Sequence, residues 1–493
     1  VVKIFCRNRR FEMTSETKDV VIIGAGAVGT AIARELSKHE LKIVLLDKNE
    51  DIGGDASKSN SAIVHTGFDA SPGTLESALV VSANPMYDKF CEELEIPFKR
   101  VGAILVATTQ EELDLLPGIR QKSYKNGVYD IEFLTPQMIR ELEPNVTEKA
   151  LGGLLIPRES IIDPFLLVIA QAENAFLNGV EIMTSTKVCG LKKDAGDTWT
   201  VETGKGEIKT KFVINSAGLG CEEIARFAGK CEFKVNPRKG QFFILDKNIN
   251  YKTNRIILPV PTKLTKGKLA SPTIHGNMLI GPTAEDITDC NDKAVTQAGM
   301  DEVIKGVQKL LPAFNPRDSI TQYAGLRPTR TPEGYFIDAY AELKGFINIT
   351  GIRSTGITAS LSIAKYAVNL LRTEGLQMKP KKNFQAKRNV IPKFSECSDE
   401  MKETLVKSNP LFGKVVCRCE TVTEAEIVAA IKGPVGARSV DAVKRRVRAG
   451  MGRCQGGFCG PRVMEILVRE LGIRPEELRK HEVGSEFITG ETR

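Results

Sequence analysis

The sequence predicts an α/β fold. A discontinuous Rossmann-like dinucleotide-binding domain carries an inserted mixed-sheet domain, and a small helical, cysteine-rich domain closes the chain. Three observations point there. A β-branched run ending in glycine opens a strand–helix–strand unit near residue 19. Two further buried-strand patterns recur far downstream, with stretches of alternating polarity between them. Four of the eleven cysteines gather in two tight pairs near the end.

Composition sets the bounds. At 493 residues and 54.0 kDa the chain exceeds one ordinary domain; at about 150 residues each there is room for roughly three. Apolar residues at 42% and charged residues at 26% exclude a disordered or collagen-like chain. Mean hydropathy is -0.14, and no apolar run reaches the length of a membrane-spanning helix. A net charge of +8 is too mild at this length to argue for nucleic acid. The first 18 residues contain no apolar core of a secretory signal. Seven cysteines (Cys6, Cys91, Cys189, Cys221, Cys231, Cys290 and Cys397) are scattered singly, as reduced thiols of a cytoplasmic protein would be. Residues 1–12, ahead of Met13, are read as a tag, an artefact or an extended start and are set aside.

The elements follow in order. Asp19-Val-Val-Ile-Ile reads as a buried strand, Gly24-Ala-Gly-Ala-Val-Gly29 as the turn after it, 28–39 as a helix and 42–46 as a second strand ending at Asp47. Lys211-Phe-Val-Ile-Asn-Ser-Ala-Gly218 and Gly345-Phe-Ile-Asn-Ile-Thr-Gly351 are further strands that stop at glycine. The expected boundaries are 13–94, 151–229 and 326–375 for the dinucleotide domain, and 95–150 and 230–325 for the inserted domain. Residues 376–410, rich in lysine and proline, are expected as a linker, and 411–481 as the cysteine domain.

Each fingerprint glycine has a task. Gly24 permits a tight turn, Gly26 lets backbone approach a pyrophosphate, and Gly29 lets helix and strand pack closely. The helix N-terminus offers N–H groups to phosphate, and Asp47 can accept from a ribose hydroxyl. The fingerprint occurs once, since Gly218-Leu-Gly220 lacks the third glycine. One nucleotide cofactor is therefore expected, and it must do the chemistry itself. The motif alone leaves NAD and FAD open.

Beyond Asp47, the run from Gly53 to Gly67 contains Asn60-Ser61 and His65. With Asn215-Ser-Ala-Gly218, Pro272-Thr, Gly276-Asn, Gly281-Pro-Thr-Ala, Gly325-Leu-Arg327-Pro and Gly351-Ile-Arg-Ser-Thr-Gly-Ile-Thr358, it resembles the D-amino-acid-oxidase-like superfamily of FAD enzymes. The resemblance spans most of 19–372. It is closest to the FAD-dependent glycerol-3-phosphate dehydrogenases and the L-2-hydroxyglutarate dehydrogenases. It implies FAD and oxidation of a 2-hydroxyalkyl substrate. The implied cofactor contacts are Gly24, Gly26, Ala27, Val28, Gly29, Asp47, Lys48, Ser57, Ser59, Asn60, Ser61, Val188, Ala217, Gly218, Gly325, Gly351, Gly356, Ile357 and Thr358. A helix starting near Ile357 would aim its N-terminus at the flavin.

Hydride removal from a carbinol needs a base near neutrality, and histidine supplies one untuned. His39 and His481 sit in charged, surface-like contexts. His65 lies in the segment that faces the flavin in the resembled families and is expected as the base; the alternative is a core histidine bonded to a carbonyl. His275 is expected to be structural or pocket-lining. An anionic substrate wants fixed cations. Arg327 matches the family's anion-binding arginine, with Arg353, Arg330, and Lys266 or its rival Lys268 as further candidates. Ser61 and Ser354 are expected to hydrogen-bond substrate or flavin, or else to cap turns.

Cys417 and Cys419, then Cys454 and Cys459, can enclose zinc or a [2Fe–2S] cluster. The unit resembles the bacterioferritin-associated-ferredoxin-like [2Fe–2S] domain, although its Cys-x-x-x-x-Cys pair is wider than the simplest form. Pro461 is placed to start a helix after the last ligand. Arg438, Lys444, Arg445, Arg446, Arg448 and Arg453 make the unit basic, read as a solvated face or as contact for an acidic electron-transfer partner.

Together the resemblances imply oxidation of sn-glycerol 3-phosphate by FAD, with electrons passing to another subunit or carrier. A partner could also dock the protein to a membrane. The alternatives are L-2-hydroxyglutarate oxidation, secondary-amine dehydrogenation and a non-catalytic electron-transfer subunit.

Overall fold

A computed structural model describes residues 16–194, 196–261, 267–390 and 392–490. The strand Lys18–Ile23 lies inside an eight-stranded sheet. It pairs in parallel with Ile43–Leu46 on one side and Gly206–Asn215 on the other. Gly206–Asn215 is long enough to pair twice along its far edge, with Trp199–Thr203 and then with Phe346–Thr350. The central strands are continuous apolar runs because both faces are covered. Val20, Ile22, Ile43 and Leu45 pack beneath the helices Ala27–Leu36, Pro164–Leu177 and Gly356–Thr373. Val21, Ile23, Val44 and Leu46 meet Trp199, Ile224 and Phe346 on the opposite face.

A nine-stranded sheet forms a second layer. It takes Ala103–Ala107, Glu132–Leu134 and Gly152–Ile156 from one excursion of the chain and six strands between 234 and 331 from another. Its spine is the antiparallel pair Lys234–Leu245 and Ser319–Thr331, in which Arg238 lies opposite Arg327. Two expected boundaries shift. Gly152–Ile156, placed from sequence in the dinucleotide domain, pairs with Ala103–Ala107. It can do so closely because Gly153 has no side chain; a Cβ there would fall 2.5 Å from the Leu105 carbonyl oxygen. Ser319–Thr331 runs unbroken through the expected boundary at 325/326. A small sheet of Ile63–Val64, Ser160–Ile162 and Phe98–Arg100 bridges the two halves.

The stretch 376–410 differs from a free linker. Its first part is a strap fastened to the helices of the first sheet. The buried Asn174 amide donates to the Gln385 and Ala386 carbonyls at 2.9 and 3.1 Å, and Asn178 exchanges bonds with the Gln385 backbone. Lys381 N–H donates to the Lys38 carbonyl at 2.8 Å, and His39 pairs with Pro380. The strap therefore buries His39, whose charged sequence neighbours suggested an exposed position. A helix, Asp399–Ser408, follows.

The C-terminal module has its own core of Cys417, Val422, Ile427, Val443, Val463, Ile466 and Leu467. Its helices are Glu424–Lys432, Val440–Val447 and Gly460–Leu471, the last opened by Pro461. Much of the basic stretch is turned inward, which corrects its reading as a solvated or partner-facing surface. Buried Asp51 takes the Arg446 guanidinium at 2.7 and 2.9 Å and that of Arg445 as well. Burial alone would raise the Asp51 carboxyl, but the two guanidiniums hold it well below the usual carboxylate range. Arg448 and Lys247 both bind Glu420 at 2.8 Å, and Arg453 binds Asp246. Charge-assisted bonds of this kind offset the cost of desolvating the ions. Among the described residues, no helix is long and apolar enough to cross a membrane.

Candidate active site and cluster site

The turn after the first strand is held by its glycines. Gly24 has φ +103°, and a Cβ there would meet the Ser216 carbonyl oxygen at 2.6 Å. On Gly29 a Cβ would lie 1.8 Å from the Gly24 oxygen, so the helix can sit this low only on glycine. The helices Ala27–Leu36 and Gly356–Thr373 both begin without a side-chain cap and without an acid in the first turn. Both N-termini border one cleft, partly open to solvent, with Ser57, Asn60, Gly218 and Arg353 among its other walls. Two helix N-termini on one cleft favour an anionic occupant. Asp47 ends the second strand and accepts from Ala25 N–H and Asn49 N–H, each at 2.8 Å. Burial pushes its carboxyl up to about 6 despite those bonds. Gly325 brings the nine-stranded sheet onto the cleft loop, since a Cβ there would strike the Ser59 carbonyl oxygen at 1.9 Å. Tyr323 hydroxyl fastens the same contact by donating to the Asn60 carbonyl at 2.6 Å.

That loop leads into His65. Its N–H donates to Thr358 Oγ1 at 2.9 Å, tying it to the first turn of Gly356–Thr373. Its Nδ1 lies 3.0 Å from Glu159 Oε2. Glu159 is 1% exposed, and its other oxygen accepts from Thr66 N–H at 2.7 Å and Thr66 Oγ1 at 2.9 Å. The carboxylate therefore cannot swing away from the ring. His275 is held differently. Its Nε2 lies 2.8 Å from Asp163 Oδ2, and Asp163 caps the helix Pro164–Leu177 through its other oxygen. Burial lowers the His275 imidazole, with Asp163 opposing. Its role is to fasten the 273–277 turn.

Arg327 is partly buried and donates from Nη2 to the Thr283 carbonyl at 2.9 Å. Burial, reinforced by Arg238, pulls its guanidinium down to about 10. Among the described residues no carboxylate forms an ion pair with it, which leaves a fixed cation suited to an anion. Arg353 differs from this expectation because Glu333 and Glu76 already pair with it. Arg330 stacks on Phe233 and Phe336 at 5.5 and 5.1 Å and donates to the Pro332 carbonyl, a structural role. Lys268 is buried against Glu302. Lys266 lies outside the described residues.

The four C-terminal cysteines line one pocket. Cys419 Sγ and Cys454 Sγ are 3.9 Å apart, and Cys459 lies against Cys417. N–H groups of Phe458, Gly456 and Gly457 point at the Cys454 sulfur and hold its thiol below the ordinary range. Burial, then Cys417, pushes the Cys459 thiol up to about 12. Among the described residues no three Cys, His, Asp or Glu groups converge as one metal ion requires. Zinc would need four sulfurs about 2.3 Å from a single point. Two adjoining thiol pairs suit a binuclear cluster better.

Residues 19–370 match the family described as FAD dependent oxidoreductase. The chain belongs to that family. Residues 415–469 match the BFD-like [2Fe–2S] binding domain. This oxidoreductase is 43% identical over 476 residues to a glycerol 3-phosphate dehydrogenase of Caloramator mitchellensis, covering 96% of this chain and 99% of the relative. It is 30% identical over 383 residues to a glycerol 3-phosphate oxidase of Mycoplasma pneumoniae, covering 76% of this chain and 99% of that one. Among solved structures, the reduced, FAD-bound L-α-glycerophosphate oxidase of Mycoplasma pneumoniae superposes with a TM-score of 0.73 at 29% identity. That match covers 76% of this chain and all of the other.

FAD fits the cleft of this flavoprotein on its own geometry: glycine backbone on its walls, two helix N-termini, one of them partly closed by Ser57, and a buried carboxylate at the end of the second strand. Not every expected contact is equally placed. Ser57 Oγ accepts Ala27 N–H at 3.0 Å, so these two residues close part of the helix N-terminus on each other. Asn60 spends its amide within its own loop, on Ser57 O and Ala62 N–H. Lys48 is an exposed partner of Asp55, and the Val188 side chain lies in the core with Val44 and Leu46. Ser354 borders the cleft, and Ser61 lies between Asn60 and Ala62, which has φ +56°. Ala217 and Gly218 follow Asn215, a buried amide that donates to Asn348 at 2.7 Å. Gly351 has φ +77°. Glu159 was invisible to sequence reasoning: Pro157-Arg-Glu-Ser reads as a polar turn, 94 residues from His65.

Proposed function

We propose that this flavoprotein oxidises sn-glycerol 3-phosphate at C2 to dihydroxyacetone phosphate and passes the electrons on through its [2Fe–2S] domain. The observation that carries this is the His65–Glu159 pair, tied through Thr358 to the helix whose N-terminus borders the cleft, in the same molecule as a partly buried arginine without a carboxylate ion pair among the described residues. FAD, when bound, supplies the hydride acceptor. Glu159 holds the Nδ1 side of His65, which directs Nε2 to take the substrate hydroxyl proton. The buried Glu159 charge then stabilises the imidazolium that forms. Arg327 holds the phosphate through charge-assisted hydrogen bonds.

A dicarboxylate such as L-2-hydroxyglutarate needs two fixed cations, and Arg353 is already neutralised by two glutamates. This favours a substrate with one anionic end. The names of the relatives agree with that choice. The cluster domain favours a protein electron acceptor over oxygen.

The test is an anaerobic visible titration of the holoprotein. sn-Glycerol 3-phosphate should bleach the flavin band, and L-2-hydroxyglutarate should not. A flavin that stays oxidised with glycerol 3-phosphate overturns the assignment.

A further inference from the structure

The geometry points to the outer rim of the cysteine pocket as the docking surface for an acidic protein carrying a one-electron redox centre. This rests on the reading that electrons leave through the cluster domain.

The module has two unlike sides. One is fastened to the rest of the chain, by Arg445 and Arg446 on Asp51, Arg453 on Asp246 and Lys247 on Glu420. The cysteine pocket is lined by Lys414, Val415, Arg418, Phe458 and Arg462, and the ion pairs of Lys414 and Arg462 stay within the module. Phe458 is 90% exposed, more than any other large apolar side chain described, and Val415 is 45% exposed. An aromatic ring left in water beside a redox site marks an interaction surface.

The chain builds this display deliberately. The Cys454-to-Cys459 loop is two residues wider than a Cys-x-x-Cys turn, and it is shaped by Gln455 at φ +49° and Gly456 at φ +96°. Gly457 N–H donates to the Cys454 carbonyl at 3.0 Å, and Gly460 N–H to the Gly456 carbonyl at 2.7 Å. The Phe458 N–H is directed at the Cys454 sulfur, so the backbone that points the ring outward is the backbone that shapes the ligand turn.

Charge identifies the occupant. Of the cations lining the pocket, Arg462 is taken by Glu424 and Glu465, and Lys414 is exposed with only a 4.0 Å contact to Glu424. Arg418 is exposed and forms no ion pair among the described residues. An acidic rim around an apolar centre complements this surface and would speed encounter. Each transfer removes one electron from the reduced cluster and adds one to the partner's oxidised centre, with no bond made or broken. Two transfers clear the pair taken from one substrate molecule.

The test uses holoprotein reduced with dithionite, so that it does not depend on the substrate assignment. The probes are plastocyanin, an acidic one-electron acceptor, and cytochrome c, a basic one. We expect plastocyanin to be reduced faster, at a rate that falls as salt rises. Phe458→Ala and Arg418→Glu should each lower that rate about tenfold. They should weaken binding of already reduced plastocyanin, measured by interferometry, and leave the cluster spectrum and flavin bleaching unchanged. Wild-type rates in both variants, faster reduction of cytochrome c, or binding to anionic vesicles with none to plastocyanin would each overturn the proposal. Failure of glycerol 3-phosphate to bleach the flavin, with these results intact, would strike only the substrate reading.

Discussion

The four cysteines we propose as cluster ligands, Cys417, Cys419, Cys454 and Cys459, come from one small module with its own core. The groups we propose to act with the flavin come from the whole length of the first two domains: the 24–29 turn, the 56–66 loop, Glu159, Arg327 and the start of the Gly356–Thr373 helix. A site of the first kind needs only local folding. A site of the second kind exists only when two sheets have closed on each other, as they do where Gly325 meets Ser59. Damage to the first should therefore stay local, while the second depends on contacts between distant segments.

The sharpest test of that contrast is Cys417→Ser. It should abolish the visible absorbance of the cluster while glycerol 3-phosphate still bleaches the flavin; loss of bleaching as well would break the comparison. Next in size is His65→Ala, which should slow flavin reduction by about 10²- to 10⁴-fold in stopped flow while FAD remains bound. Glu159→Gln should slow the same step about tenfold at saturating substrate and leave substrate affinity unchanged, as expected of a group that acts through another. Arg327→Lys keeps the charge but loses the planar fork. Its effect should fall on substrate affinity, roughly tenfold, measured by the same titration.

The smallest expected effect concerns FAD itself. In the apoprotein the Asp47 carboxyl is raised to about 6, so the charged form that accepts ribose hydroxyls is favoured only above that pH. FAD affinity of the apoprotein should fall as pH drops below about 6, by no more than tenfold per unit. The same raised group makes the apoprotein lose stability as pH climbs from about 4 to 6. The two trends run in opposite directions. Fluorescence titration with FAD at several pH values, beside thermal melts of the apoprotein, separates them.

Sequence reading reached the parts governed by short-range rules. The glycine turn was legible because a Cβ at Gly24 or Gly29 collides with nearby backbone. The gathering of the cysteine pairs into one pocket was legible because their spacing is local, and His65 stood out as a candidate base because there are only four histidines. The strap 376–390 was misread because lysine and proline report solvent preference, while Asn174 and Asn178, which hold it, lie some two hundred residues earlier. Arg353 was misread for a similar reason, since Glu76 and Glu333 reach it only in the folded chain.

The nucleotide fold and the cofactor classes were thus readable from residue order alone, which also brought forward the four cysteines as candidate ligands. Those depend on backbone sterics and on bonding between near neighbours. Folding alone brings Glu159 to His65, leaves Arg327 without a carboxylate ion pair among the described residues while Arg353 has two, and lets Asp51 anchor a module 395 residues away. A charge or a carboxylate carries no mark of its partner in the sequence. Its partner is chosen by which buried surfaces meet, and the cost of desolvating an ion is offset for Asp51 by two guanidiniums but left uncompensated by any carboxylate at Arg327.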